Sequence, residues 1–156
     1  MADKSELMEA LESAVVEAFE TMAFAEVMGN EELDRLPEWI SGSVWTYISV
    51  DNPVGTVLHF AVKKEHALNM VEVVAETEDE EELKELMKDT VSEYINTIGG
   101  RFGTALLPEG EKVIVGLPEI AEVNEEFKEK IAGKLNLIIS FNVEEQDVLC
   151  CLEKWE

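Results

Sequence analysis

The stretch DTVSEYINTIGGRFGT, residues 89–104, has the apolar spacing of a helix and yet contains three glycines. An α-helix turns by about 100° per residue, so residues three and four apart share a face. The apolar face of this stretch and its flanks holds Met87, Val91, Tyr94, Ile98, Phe102 and Ala105. The opposite face holds Asp89, Glu93, Asn96, Gly100, Gly103 and Thr104. The stretch therefore predicts a helix with a core face and an exposed polar stripe.

The glycines allow two interpretations. Glycine in a helix interior costs about 1 kcal/mol relative to alanine, so Gly100 and Gly103 need a reason to be there. In the first interpretation the helix continues, and the bare backbone lets a partner approach closely. In the second, the helix ends near Ile98 and the glycines form a loop. The residues alone favour neither interpretation.

The helix is predicted to begin at Thr77 and to run to about Leu106, with Pro108 just beyond its end. The run TEDE resembles a capping box, with Thr77 as the cap and Glu80 three residues later. The acidic residues 78–82 would then lie at the positive end of the helix dipole. This explains the acidic cluster without a binding site.

A second long helix is predicted over residues 5–28, capped by Ser5 and ended by Gly29. Two strands are expected within WISGSVWTYISV and GTVLHFAVKK, followed by a short helix at about 65–75. Three more strands are expected within EKVIVGL, GKLNLIISF and QDVLCCLEKW. A helical turn or loop over EVNEEFKEK should separate the first two of these.

The two long helices align without gaps, SAVVEAFET over DTVSEYINT. The alignment places Glu17 on Glu93 and Glu20 on Asn96, and each helix precedes a proline-containing loop and strands. This is a weak internal repeat that predicts two related halves.

Composition limits the classes of function. The 156 residues suit one domain, residues 1–156, and the net charge is −23. Such a chain is repelled by nucleic acid and by anionic membranes, so neither is an expected partner. With no signal peptide or long apolar run, a soluble cytoplasmic protein is expected. Cys150 and Cys151 are adjacent in a predicted strand and face opposite ways, so no disulfide between them is expected.

A polar stripe on a helix is ordinarily a solvated face. Asp89 and Glu93 could hold a hard cation, but two carboxylates without further oxygen ligands make a poor site. His59 and His66 lack the ligand spacing of a transition-metal site, so no metal is predicted. The sequence shows no phosphate-binding glycine loop, nucleophile elbow or redox motif.

The pattern Asp89-x-x-x-Glu93-x-x-Asn96, with Pro118 further on in GLPEI, resembles the signature of the CheC/CheX/FliY family of chemotaxis phosphatases. The segment INTIGGRFGTAL resembles the glycine-containing continuation of that signature. Members similar to CheC usually carry the motif on both repeated helices, whereas members similar to CheX carry it once. Here Glu20 stands where the first copy would need asparagine, so the chain resembles CheX.

The resemblance implies one α+β domain with two repeated halves, a mostly antiparallel sheet and two long helices packed on it. It implies hydrolysis of the aspartyl phosphate on a CheY-like response regulator. Asn96 would hold the attacking water, because an amide offers a donor and an acceptor without a repelling charge. Glu93 would meet the regulator's active-site lysine. The other expected contacts are Asp89, Gly100, Gly103 and Thr104.

No cofactor of the chain's own is expected, since Mg²⁺ would be held by the regulator. Members similar to CheX are often dimers, so a homodimer is a further expected assembly. A rival function is a non-catalytic adaptor that binds a regulator or a chemoreceptor complex through the same helix. A weaker alternative is an acidic cation-binding protein.

Overall fold

The computed structural model describes residues 3–72 and 76–155 of the chain. The helices are α1 (Lys4–Ala23), α2 (Lys64–Glu72), α3 (Glu80–Leu106) and α4 (Glu125–Ala132), and a 3₁₀ turn spans Glu38–Ile40. The strands are β1 (Val27–Glu32), β2 (Val44–Asn52), β3 (Thr56–Val62), β4 (Ile114–Val115), β5 (Glu119–Ala121), β6 (Leu135–Val143) and β7 (Gln146–Glu153). Residues 73–75 of the helix expected at about 65–75 lie outside the described residues.

The described strands form one antiparallel sheet in the order β1-β6-β7-β3-β2-β4, and β5 also pairs with β2. Two hairpins, β2–β3 and β6–β7, make up its centre and are joined by the pairing of β3 with β7. Each hairpin then receives an edge strand from the other half of the chain. β1 pairs with β6, and β4 and β5 pair with β2. The two halves therefore contribute corresponding elements to the sheet in the same arrangement, in agreement with the predicted repeat.

The sheet carries a helix layer on each face. On one face, α1 and α3 lie against each other and against the sheet, and alternate strand residues such as Phe60 and Phe141 are fully buried there. On the other face, α4 and the 3₁₀ turn cover a smaller core around Trp45. The two cysteines divide between these cores as expected: Cys150 belongs to the first and Cys151 to the second. Both thiols are free, and burial raises the pKa of each.

The start and the end of α1 both differ from the prediction. Asp3 caps the helix, since its carboxylate accepts a hydrogen bond of 2.9 Å from the Glu6 backbone N–H, and Ser5 lies inside the first turn. The helix stops at Ala23 because Phe24 takes a left-handed conformation with φ of 52°. The chain then enters β1, whose pairing with β6 outweighs the helical spacing of residues 27–28.

The long helix α3 extends to Leu106, as predicted, but its cap is Asp79. The Asp79 carboxylate accepts from the backbone N–H groups of Glu81 and Glu82, at 2.9 and 3.3 Å. Thr77 lies before the cap, and its hydroxyl accepts a hydrogen bond of 3.2 Å from the backbone N–H of Asp79. The capping box assigned to Thr77 and Glu80 is therefore wrong, and the carboxylate two residues further on does the capping.

The predicted strand in EKVIVGL is reduced to the two residues of β4, and the chain forms a second short edge strand, β5. Between them the Gly116 N–H donates to the Ser49 carbonyl at 2.9 Å. A Cβ at Gly116 would collide with the Ser49 hydroxyl, so glycine permits this close approach to β2. Pro118, which has no N–H to donate, follows in the connection that interrupts the edge.

Candidate functional site

The helix α3 continues through all three glycines, so the loop interpretation is wrong. Gly99 is buried, and a Cβ there would lie 3.4 Å from Cγ2 of Ile48 on the sheet. Gly100 faces open space: apart from its chain neighbours and the backbone of its own helix, no heavy atom lies within 4 Å of where its Cβ would be. The first glycine thus serves the packing of the helix on the sheet, and the second leaves bare backbone at the surface.

Gly103 does not belong to the exposed stripe where the sequence placed it. It is buried, and a Cβ there would lie 2.6 Å from Cγ1 of Val113. The sequence predicted a single buried face for α3. In the structure, the chain that follows α3 returns along the helix and buries a second face. Ala105, which was expected in the core, is exposed. The partner-contact role assigned to Gly103 therefore loses its geometric basis.

The polar stripe itself is at the surface. Asp89, Glu93 and Asn96 are exposed on successive turns of α3. Across residues 3–72 and 76–155, no side-chain hydrogen bond or ion pair involves any of the three. Thr104 is exposed too, but its hydroxyl already donates to the Gly100 carbonyl at 2.8 Å. The three motif side chains thus have their polar atoms available to a partner.

Tyr94, next to Glu93, fixes how the stripe is oriented. Its ring is buried and stacks nearly parallel to Phe60, with centroids 6.3 Å apart, and it also lies 5.1 Å from the ring of Phe19. Burial, with a smaller effect of the Glu93 carboxylate, raises the pKa of Tyr94 to about 12. A neutral aromatic anchor in the core thereby sets the direction in which Glu93 and Asn96 project.

A groove of about 560 Å³ runs between α1 and α3 beside Asn96. Its lining includes Ser13 and Glu17 from α1, and Thr97 and Gly100 from α3. Asp89 and Glu93 are not among its lining residues. The groove joins Asn96 to the open backbone at Gly100, so a docked partner can reach both.

Arg101 also lines this groove, and sequence reasoning did not single it out. Its Nη1 atom lies 2.7 Å from Oε2 of Glu17, which connects the two long helices across the groove. Glu17 is the residue that aligns with Glu93 in the internal repeat. The available signal was a single arginine beside the motif in a chain with a net charge of −23.

Both histidines are accounted for by packing. Trp45 Nε1 donates to His59 Nδ1 at 2.9 Å, so His59 Nε2 carries the proton and donates to Glu153 Oε2 at 2.7 Å. Burial lowers the pKa of His59, although Glu153 opposes the shift. His66 stacks on Phe19, and its pKa is also lowered by burial. Among the described residues, no group of three or more His, Cys, Asp or Glu could hold a metal ion.

None of the helices that the structure describes is long and apolar enough to cross a membrane.

The family model described as chemotaxis phosphatase CheX matches residues 44–142, which is more than half of the chain and includes all of α3. A search of curated proteins by sequence gave no match.

Solved structures share the fold. The chain is similar to a chain of the CheX–CheY–BeF3–Mg²⁺ complex from Borrelia burgdorferi, with a TM-score of 0.75, 20% identity and coverage of 94% of this chain and 96% of that one. For CheX from Desulfovibrio desulfuricans the TM-score is 0.70, with 15% identity and coverage of 97% and 99%. For FliY from Thermotoga maritima the TM-score is 0.56, with 13% identity and coverage of 98% and 92%.

Proposed function

The chain belongs to the family of the chemotaxis phosphatase CheX, and from this premise we propose that it hydrolyses the aspartyl phosphate of a CheY-like response regulator. One observation carries the proposal: Glu93 and Asn96, three residues apart on the helix that the family model covers, are exposed and make no side-chain hydrogen bond or ion pair with the described residues. Residues 1–156 would act as one domain of this kind.

The role proposed for Asn96 is to position water. An aspartyl phosphate is already held by a metal ion and a lysine of the regulator, so hydrolysis lacks only a water molecule in line with phosphorus. The Asn96 amide can accept from that water and can donate to a phosphoryl oxygen, and it adds no negative charge. Its contribution is orientation, the main element of catalysis in phosphoryl transfer.

Glu93 is proposed to bind the regulator rather than the phosphoryl group. A carboxylate directed at phosphate would repel it, whereas a lysine of the regulator would attract it. Asp89, one turn earlier on the same face, would add a second contact. The division of work is therefore docking by the carboxylates and chemistry by the amide.

Gly100 and Thr104 are proposed to form the floor on which the regulator rests. Gly100 presents backbone to open space, and the Thr104 hydroxyl is folded back onto the Gly100 carbonyl. Because both residues line the groove beside Asn96, the regulator's backbone can approach here until its phosphoryl group reaches Asn96. Gly103 is left out of this surface because Val113 covers it.

The Borrelia burgdorferi complex contains CheX together with CheY, BeF3 and Mg²⁺. By extension we assign a CheY-like regulator as the partner of this chain, with Mg²⁺ on the regulator and no cofactor on the phosphatase. We propose that the activity is cytoplasmic, because its substrate would be a chemotaxis regulator.

A homodimer is also proposed. The apolar side chains of Ile114, Leu117 and Ile120 are 54%, 87% and 38% exposed at the β4–β5 edge of the sheet. Edge strands that expose apolar residues are surfaces for pairing with another chain. Light scattering at several protein concentrations, with Leu117→Glu for comparison, measures this association.

The decisive assay is turnover. A regulator phosphorylated on its aspartate is mixed with the protein at one-tenth of its concentration, and loss of the acyl phosphate is followed. A catalyst accelerates the decay of all the regulator, whereas an adaptor changes at most the fraction that it binds. Binding without accelerated decay would establish the adaptor function and refute the phosphatase. A calcium titration addresses the cation-binding alternative separately.

A further inference from the structure

A groove of about 630 Å³ lies on the other side of α3 from the polar stripe. It is bounded by α3, by the start of α2 and by the chain around β2 and β5. Its volume is in the range of small-molecule sites, about 300–1,000 Å³. The function proposed above makes no use of it.

The charged side chains that line this groove are mostly cationic, whereas the net charge of the chain is negative. Lys64, Lys84 and Lys88 line it, and Glu122 is the one carboxylate that lines it among the described residues. Lys88 has Glu85 at 3.8 Å, and in the described part of the chain neither Lys64 nor Lys84 has a carboxylate within 4 Å. Three of the 12 cationic side chains of a chain of net charge −23 therefore meet at one groove.

The groove also offers apolar surface. Val44 and Val123 are half-buried and line it, Ile120 lines it and is 38% exposed, and the buried Met87 contributes only its edge. Ser43 belongs to the same wall, and its hydroxyl is shielded from solvent without a hydrogen-bond partner among the described residues. A buried polar atom of this kind is normally satisfied by a protein group or an ordered water, so an ordered water is expected beside the Ser43 hydroxyl.

We propose that this groove binds a small organic anion with an apolar body. The lysine ammonium groups hold its carboxylate, sulfonate or phosphate group, and the side chains of Val44 and Val123 contact the apolar part. Long polyanions are disfavoured, because outside the groove they meet the strong negative charge of the chain. A compact ligand escapes most of that repulsion, since charges beyond about 8–10 Å are screened at physiological salt.

The test uses 8-anilino-1-naphthalenesulfonate, a fluorescent aromatic anion, as the probe. Wild-type protein is expected to bind it saturably, and the affinity should fall as salt is raised. K64A/K84A/K88A should raise the dissociation constant by about ten-fold or more. The control K112A/K130A/K154A makes the same change in net charge at exposed lysines outside the groove and should change it less than about two-fold.

Amide chemical-shift changes on wild-type protein give a readout that does not depend on any variant folding. They are expected at Lys84, Met87 and Val123. The proposal is overturned if the shifts map elsewhere, if both lysine triples weaken binding equally, or if uncharged Nile red gives the same pattern. It is also overturned if probe affinity falls as protein concentration rises, because a second copy of the chain would then occupy the groove.

Discussion

Arg101 of α3 and Glu17 of α1 form an ion pair, with Nη1 and Oε2 2.7 Å apart, across the groove beside Asn96. The pair joins the helix that carries the complete motif to the helix that carries its incomplete copy. Glu17 is thereby engaged with a cation of its own chain, while its counterpart Glu93 makes no such contact with the described residues. The two halves of the repeat have the same arrangement but differ in what they leave available to a partner.

Glu17→Ala and Glu20→Ala are expected to leave most of the phosphatase activity. Glu20 puts a negative charge where the other helix has an amide, so α1 offers no group to hold the attacking water. Loss of the exposed Glu17–Arg101 pair should cost about 0–1 kcal/mol of stability. The check is turnover of a phosphorylated regulator beside a thermal melt. A large loss of activity in a folded variant would mean that α1 has a catalytic site.

Asn96→Ala is expected to lower turnover by about 100-fold or more, because the water loses its positioning group. The melting temperature should stay close to wild type, since the side chain is exposed and makes no hydrogen bond within the described structure. Asn69→Ala, which removes an exposed amide from α2, is the matched control. Wild-type turnover by Asn96→Ala would exclude this amide from the mechanism.

Glu93→Ala is expected to weaken binding of the regulator, because it removes a charge partner at the docking face. Titration should give a higher dissociation constant, with turnover at saturating regulator less affected. Glu82→Ala, which removes an acid near the start of α3, should bind as wild type does. If Glu93→Ala binds the regulator normally but loses turnover, Glu93 acts in the chemical step and not in docking.

Gly100→Ala and Gly100→Leu separate stability from docking. Alanine should stabilise the domain by up to about 1 kcal/mol, because the position is helical and open. Leucine should also fold, but its side chain would keep the regulator away from Asn96 and lower the activity. Denaturant unfolding and turnover are measured on both variants. A leucine variant with full activity would show that the regulator does not approach this backbone.

Gly103→Ala should have the opposite effect on stability. The new methyl group meets Val113, so the helix or the following segment must shift, at a cost of about 1–3 kcal/mol. Val113→Ala removes the obstructing methyl groups and should recover part of the loss in the double variant. Denaturant unfolding of the two single variants and the double variant measures the coupling. If the losses of stability in the two single variants simply add in the double variant, the strain does not come from contact between residues 103 and 113.

The elements that the sequence predicted well are those with a long repeating pattern. Apolar residues at helical spacing continue along α1 and α3, β2 and β6 alternate over most of their length, and β3 and β7 are nearly continuous apolar runs, so small local errors do not change the outcome. The exposure of Glu93 and Asn96 was predictable for the same reason, since they lie opposite a well-marked apolar face. Their roles stay predictions.

The features that were missed depend on contacts between distant residues. Nothing in the pattern around Gly103 shows that Val113 will cover it, and nothing around Glu17 shows that Arg101 will reach it. The caps failed for a local reason: several residues able to cap stand near each helix start, and spacing alone does not choose between Asp3 and Ser5. The features that the sequence did not predict are therefore those that depend on long-range packing or on competition between similar side chains.

The exchange of edge strands has a consequence for how the chain is made. When the first half leaves the ribosome, β1 has no strand to pair with until β6, more than a hundred residues later in the chain, has been synthesised. During that interval the apolar side of α1 lacks α3, and the β2–β3 hairpin lacks β7. The first half is consequently a candidate for holding by a chaperone until its C-terminal counterpart arrives. Neither half would persist as an isolated fragment, and the molecule should lose its structure in a single cooperative step.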